Sequence, residues 1–317
     1  MAYSPTVVPY EDFNAEEDAH ALKAAMKGMG TEEAPIVEIL TRRTYQQREE
    51  IAQTYKREFG RDLGEDLASE LGGELEDLMC GLTHSYFEYL ALELSKAMKG
   101  MGTKEKIINE IILSRNNSEL QLLKEAYANT CHSSLEEDIR GESDGDLEKL
   151  LVALLNDSRD EIGDVDNAKA QQQAQDLYNA GENKWGTNEA VFRQLFSHES
   201  LPQLMAIAQE YEEISKRSLA EAIESEMGGD FRDALLIILE VAKDKTGYYA
   251  DLLYNCMQGA GTDDKTLIRL VLSRSELDLG DIKEKYLEKY GKTLDHSIES
   301  ETSGPYKDAL LLLVRGG

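Results

Sequence analysis

The sequence predicts an all-α protein built from four similar units. Three observations carry this reading. Apolar residues recur at three- and four-residue spacing, as in Leu90, Leu94, Ala97 and Met98, which is the period of a helix face and not of a strand. Only 5 prolines interrupt 317 residues, of which 41% are hydrophobic, and the frequent Ala, Leu, Glu and Lys are strong helix formers. A Gly-rich loop also returns four times: Met26-Lys27-Gly28-Met29-Gly30-Thr31, Met98-Lys99-Gly100-Met101-Gly102-Thr103, Lys184-Trp185-Gly186-Thr187 and Met257-Gln258-Gly259-Ala260-Gly261-Thr262. Gly30 to Gly102 is 72 residues, Gly102 to Gly186 is 84, and Gly186 to Gly261 is 75. Such a period marks a repeat architecture.

The elements follow in order. Residues 1–14 form a head, carrying Tyr3, Ser4 and Thr6 without a basic amphipathic pattern. Residues 15–86 are the first repeat, 87–158 the second, 159–245 the third with a linker at its start, and 246–317 the fourth. Each loop runs into an apolar helical stretch: Ile36-Val37-Glu38-Ile39-Leu40, Ile107-Ile108-Asn109-Glu110-Ile111-Ile112, Val191-Phe192-Arg193-Gln194-Leu195-Phe196 and Leu267-Ile268-Arg269-Leu270-Val271-Leu272. About five helices per unit, twenty in all, are expected.

Each loop is followed by an acid at one fixed distance. From Gly30, Gly102, Gly186 and Gly261 the intervals to Glu70, Glu142, Glu226 and Glu301 are all 40 residues. With 62 acids in 317 residues, four such coincidences have odds of about one in six hundred. Glycines let a backbone take positive φ and turn several carbonyl oxygens toward one point. Three carbonyls and a two-oxygen carboxylate make about five of the six to eight oxygen ligands that Ca²⁺ takes, leaving room for water or a further ligand. Thr31 is expected to N-cap the next helix, with Glu33 two residues on. The rival chemistry, phosphate on helix N–H groups, fits poorly. No loop ends in the Lys-Ser/Thr of a P-loop, and Glu32, Glu33, Glu105, Glu189, Asp263 and Asp264 crowd the helix starts.

Composition narrows the function classes. A net charge of −28 excludes a general nucleic-acid binder and repels an anionic membrane unless a cation bridges the two. No run of about eighteen apolar residues predicts a spanning helix. The head lacks the basic and apolar regions of a secretory signal. Cytoplasmic residence is therefore expected, with export by another route left open. Cys80, Cys131 and Cys256 sit at unrelated repeat positions, which suits a reducing compartment. The five histidines show no paired metal spacing and no nucleophile partner, so no enzyme is expected. Asp157, Asp160, Asp164 and Asp166 lack the Gly and terminal Glu of an EF-hand loop and read as a solvated linker.

The loops and their partnered acids identify the chain as resembling an annexin, from about Phe13 to Gly317. The resemblance implies four five-helix repeats in a curved disk with Ca²⁺ sites on its convex face. It implies carbonyl ligands from Met26, Gly28 and Gly30 with Glu70, and from Met98, Gly100 and Gly102 with Glu142. It implies others from Gly181, Lys184 and Gly186 with Glu226, and from Met257, Gly259 and Gly261 with Glu301. Weaker sites would pair Thr31 with Glu33, Thr103 with Glu105, Thr187 with Glu189, and Thr262 with Asp264. The implied function is non-enzymatic, Ca²⁺-dependent peripheral binding to acidic phospholipid membranes with phosphatidylserine-like headgroups, with lateral self-association there as a further expectation. The alternative is a membrane-associated scaffold or ion-conducting protein, for which Glu93, Arg115, Arg269 and Arg274 match a polar centre and Leu90 departs from it. Those charged residues equally suit a buried ion-pair network. Gln258 stands where the first two loops carry Lys, and Asn183 precedes Lys184 where similar proteins carry an apolar residue. Trp185 suits a membrane interface.

Overall fold

The computed structural model describes residues 3–28, 30–99, 102–156, 158–181 and 186–316. Among them are nineteen helices and no strand. The first repeat is α1 Ala15–Ala25, α2 Glu33–Thr41, α3 Tyr45–Phe59, α4 Leu63–Glu70 and α5 Gly73–Leu82; the second is α6 Tyr86–Met98, α7 Glu105–Leu113, α8 Asn117–Cys131, α9 Leu135–Glu142 and α10 Gly145–Leu155. Then come α11 Asn167–Ala180, α12 Glu189–His198, α13 Leu201–Ser215, α14 Leu219–Glu226, α15 Gly229–Cys256, α16 Asp264–Ser275, α17 Leu279–Tyr290, α18 Leu294–Glu301 and α19 Gly304–Arg315. Helix α15 is broken at Asp244, where φ −161° and ψ 89° leave the helical region. Its halves close the third repeat and open the fourth, which makes twenty helical segments. The chain divides into two compact units, Met1–Tyr89 with Thr246–Gly317 and Leu90–Lys245.

The same core positions recur in all four repeats. Leu22, Leu94, Leu177 and Leu253 on the first helix of each repeat are fully buried, as are Ile51, Leu123, Ile207 and Ile282 on the third and Leu67, Ile139, Ile223 and Ile298 on the fourth. Each such side chain contributes roughly 1.5–3 kcal/mol by leaving water. A tyrosine fifteen residues before each partnered acid (Tyr55, Tyr127, Tyr211 and Tyr286) is likewise fully buried. Its ring fills the core while its hydroxyl reaches for a partner. The Tyr55 hydroxyl donates to Asp66 at 2.6 Å, that of Tyr127 to Asp138 at 2.6 Å, and that of Tyr286 to Ser297 at 2.9 Å. Each bond pins the fourth helix of its repeat to the third, and the fourth helix is the one that ends in the partnered acid.

The linker is solvated at Asp160, Asp164 and Asp166, which are all exposed, and is anchored at Arg159. Arg159 is buried and donates to the carbonyls of Glu199 at 2.9 Å and Phe196 at 2.8 Å, whereas Ile162 lies almost wholly in water.

Candidate metal centre

Four loops share one backbone device. Helix α1 ends at Ala25, and the Glu32 N–H returns to the Ala25 carbonyl at 2.9 Å. The equivalent bonds run from Lys104 to Ala97 at 3.0 Å, Asn188 to Ala180 at 2.8 Å and Asp263 to Cys256 at 2.8 Å. The bond closes a loop spanning seven residues in repeats one, two and four and eight in repeat three. Gly28 and Gly30 hold φ of 110° and 103°, and Gly259 and Gly261 hold 99° and 105°. An added Cβ there would meet nothing within 4 Å. Glycine is therefore needed for conformation and not for space.

Each loop touches its acid. The Thr31 hydroxyl donates to Glu70 Oε2 at 2.7 Å, Thr103 to Glu142 Oε2 at 2.9 Å, and Thr187 to Glu226 Oε2 at 3.2 Å. In repeat four, Thr262 reaches only the Glu301 carbonyl, at 3.4 Å. The threonines are consequently not helix N-caps. The N-cap positions belong to Glu32, Lys104, Asn188 and Asp263, because each threonine hydroxyl is drawn away to an acid thirty-nine residues on.

The acids stand in unfavourable places. Glu70, Glu142, Glu226 and Glu301 are each the last residue of their helices, where the macrodipole is negative and a carboxylate is disfavoured. Helices α4, α14 and α18 have no basic residue in the last turn, and in α9 Arg140 is taken by Glu136 and Glu148. Beyond each acid the chain turns through a glycine at positive φ: Gly73, Gly145, Gly229 and Gly304, between 60° and 66°. Among the described residues, no group of three His, Cys, Asp or Glu side chains could hold a metal, so a metal here must draw on main-chain oxygens. An all-oxygen set with one carboxylate suits a hard cation.

The remaining candidates fall around this geometry. Met26, Met98 and Met257 bury their side chains, leaving the main chain as their contribution. Gly181 takes that position in repeat three, and a Cβ on it would lie 3.8 Å from Glu226 Cγ. Gly102 and Gly186 sit at positive φ of 89° and 83° directly before Thr103 and Thr187. Gly100, Asn183, Lys184, Trp185 and Asp157 lie outside the described residues. Glu33, Glu105 and Glu189 are half-buried at the first turns of α2, α7 and α12. Asp264 differs, for it accepts from the Tyr306 hydroxyl at 3.0 Å, while burial, then Glu74 and Asp263, push its carboxyl up. The polar-centre residues have local partners: Glu93 pairs with Lys96 at 3.1 Å, and Arg274 with Asp278, its guanidinium also 4.4 Å from the Tyr249 ring. Among the described residues no helix is long and apolar enough to cross a membrane.

The Annexin family model matches four segments, residues 17–82, 89–154, 172–238 and 248–313. Annexin A13 of Mus musculus is 45% identical over 305 residues, 96% of this chain and 96% of that protein. Chicken annexin V, solved in complex with Zn²⁺, is similar with a TM-score of 0.94 at 43% identity over 100% of both chains. Calcium-bound annexin (Sm)1 gives 0.83 at 34% identity, covering 98% of this chain and 93% of that one.

Proposed function

Because the chain belongs to the annexin family, we propose that it binds acidic phospholipid surfaces peripherally and in a Ca²⁺-dependent way, through the four loops. The observation that carries this is that a closed glycine loop bonds, in all four repeats, to a glutamate at the negative end of a helix, through its carboxylate in the first three and its main-chain carbonyl in the fourth. A calcium-bound relative of similar fold supports the choice of ion. When bound, Ca²⁺ would supply positive charge and open coordination positions for lipid phosphate or carboxylate oxygens. The carbonyls of Met26, Gly28 and Gly30 would face the ion beside Glu70, and the other loops would do likewise. Thr31, Thr103 and Thr187 would orient the acids by occupying one carboxylate oxygen each. Several weak sites on one chain add through effective concentration, so membrane affinity should climb steeply with Ca²⁺.

Co-sedimentation with phosphatidylserine vesicles over a Ca²⁺ series tests the reading. Wild type should sediment only with Ca²⁺. The quadruple variant Glu70→Gln, Glu142→Gln, Glu226→Gln, Glu301→Gln should need at least about tenfold more, as expected when charged ligands leave a calcium site. Equal Ca²⁺ requirements would remove the four acids from the site. Sedimentation indifferent to Ca²⁺ would favour a scaffold role instead.

A further inference from the structure

The fourth repeat carries a tyrosine cluster that its sister repeats lack. At the positions held by Lys23, Tyr55 and Phe59 in repeat one, by Ser95, Tyr127 and Cys131 in repeat two, and by Tyr178, Tyr211 and Ser215 in repeat three, where the two rings are 6.4 Å apart, stand Tyr254, Tyr286 and Tyr290. Tyr254, near the end of α15, and Tyr290, at the end of α17, stack with ring centroids 3.7 Å apart and planes 2° from parallel. Most aromatic pairs sit farther apart. Tyr286 lies 5.1 Å from Tyr290. The Tyr290 hydroxyl donates to Asp251 Oδ1, and Lys289 Nζ holds Oδ2 of the same carboxylate at 2.6 Å. Both stacked rings are half-buried, so exposure alone would direct an oxidant to Tyr3 and Tyr10 instead.

We propose that Tyr254 and Tyr290 form an oxidative modification site, at which a one-electron oxidant of the nitrogen dioxide class joins the two rings into an intramolecular dityrosine. Each phenol gives one electron to one nitrogen dioxide, which becomes nitrite. The Tyr290 proton passes to Asp251, which is already hydrogen-bonded to it, and the Tyr254 proton passes to water. The two phenoxyl radicals form one carbon–carbon bond between ring positions next to the oxygens. The hydrogens at those carbons then move to the oxygens and restore both phenols. The net change is two electrons and two protons lost. Burial and the Asp251 hydrogen bond raise the Tyr290 phenol above its ordinary value, so electron and proton must leave together, and a carboxylate in contact eases that step. Holding the rings in contact gives their coupling the advantage of an intramolecular reaction. The product would staple α15 to α17 three residues before Met257.

The test exposes the full-length chain to nitrogen dioxide generated by a peroxidase from nitrite and hydrogen peroxide, followed by peptide mass spectrometry. The expected main product, among 15 tyrosines, is a monomeric 254–290 cross-link two hydrogens lighter than the separate peptides. Tyr254→Phe, which keeps the ring, should abolish it. Asp251→Asn should lower its yield several-fold at unchanged helical circular dichroism. Oxidation confined to Tyr3 and Tyr10, with no 254–290 product in wild type, would overturn the proposal. An undiminished yield in folded Asp251→Asn would overturn the role of Asp251 as proton acceptor.

Discussion

The loops of repeats one and four share their glycine conformations and their closing bond but have different side-chain surroundings. Both carry two glycines at φ near 100° and both close through a single N–H to carbonyl bond. In repeat one Thr31 fixes the Glu70 carboxylate, and Glu33 is two residues on; in repeat four Thr262 misses the Glu301 carboxylate, and Tyr306 holds Asp264. Lys27 in the first loop is Gln258 in the fourth. Below the loops the contrast continues. Asp66 is buried among the Tyr55 hydroxyl, Lys23 at 3.3 Å and the Arg61 Nε at 2.7 Å, whereas its counterpart Ser297 meets only neutral hydroxyl and main-chain groups. Backbone closure is thus the common element, and side chains set how firmly each acid and its helix are held.

The largest expected effect breaks the charged cluster. Asp66→Ala leaves the buried Tyr55 hydroxyl without its acceptor, while the solvated Arg61 and Lys23 remain hydrated, and should cost about 2 kcal/mol of stability, whereas Ser297→Ala removes one neutral hydrogen bond and should cost about 1 kcal/mol. Denaturant melts of both variants measure the gap, and equal losses would erase the contrast between the two repeats.

The same cluster sets a pH dependence. Hydrogen bonding from Arg61, then from Tyr55 and Lys23, outweighs burial and holds the Asp66 carboxyl at about 2, below the ordinary 3.8. A depressed carboxyl stabilises the fold above the unfolded value and ceases to do so as pH falls through the folded one. Roughly 2 kcal/mol should therefore disappear between pH about 4 and about 2. Asp66→Asn should flatten that part of the stability profile, and an unchanged profile would assign the acid sensitivity elsewhere.

Thr31→Val and Thr262→Val sharpen the loop comparison. Losing a group that orients a metal-binding carboxylate costs about tenfold in affinity. Isothermal titration should show that loss at the first repeat's site for Thr31→Val and almost none at the fourth repeat's for Thr262→Val. The smallest effect belongs to Tyr306→Phe, which frees the Asp264 carboxylate. About a twofold gain in Ca²⁺ affinity at the fourth repeat is expected, and a loss would mean that the hydroxyl supports the site.

How much of this was legible follows from where the partners sit in the chain. The helical class and the fourfold register were open to reading, because buried positions such as Leu22, Leu94, Leu177 and Leu253 recur with the loops. The pairing of Thr31 with Glu70 was not, although the interval was visible. Local preference favours Thr as an N-cap, and only tertiary contact reveals that its hydroxyl is taken. The tyrosine fifteen residues before each acid was an equally regular signal and went unread, since a core aromatic resembles any other. Tyr306 on Asp264 spans forty-two residues and occurs once, so no repetition announced it.

The bond that closes each loop has a consequence for isotope exchange. Amides in turns trade hydrogen for deuterium quickly unless an acceptor holds them. The Glu32, Lys104, Asn188 and Asp263 amides are each held at 3.0 Å or less. A deuterium-labelled map should therefore show four isolated slow amides at these positions, on chain free of calcium. The loop would then owe its shape to the chain alone, and binding would begin from a template already set.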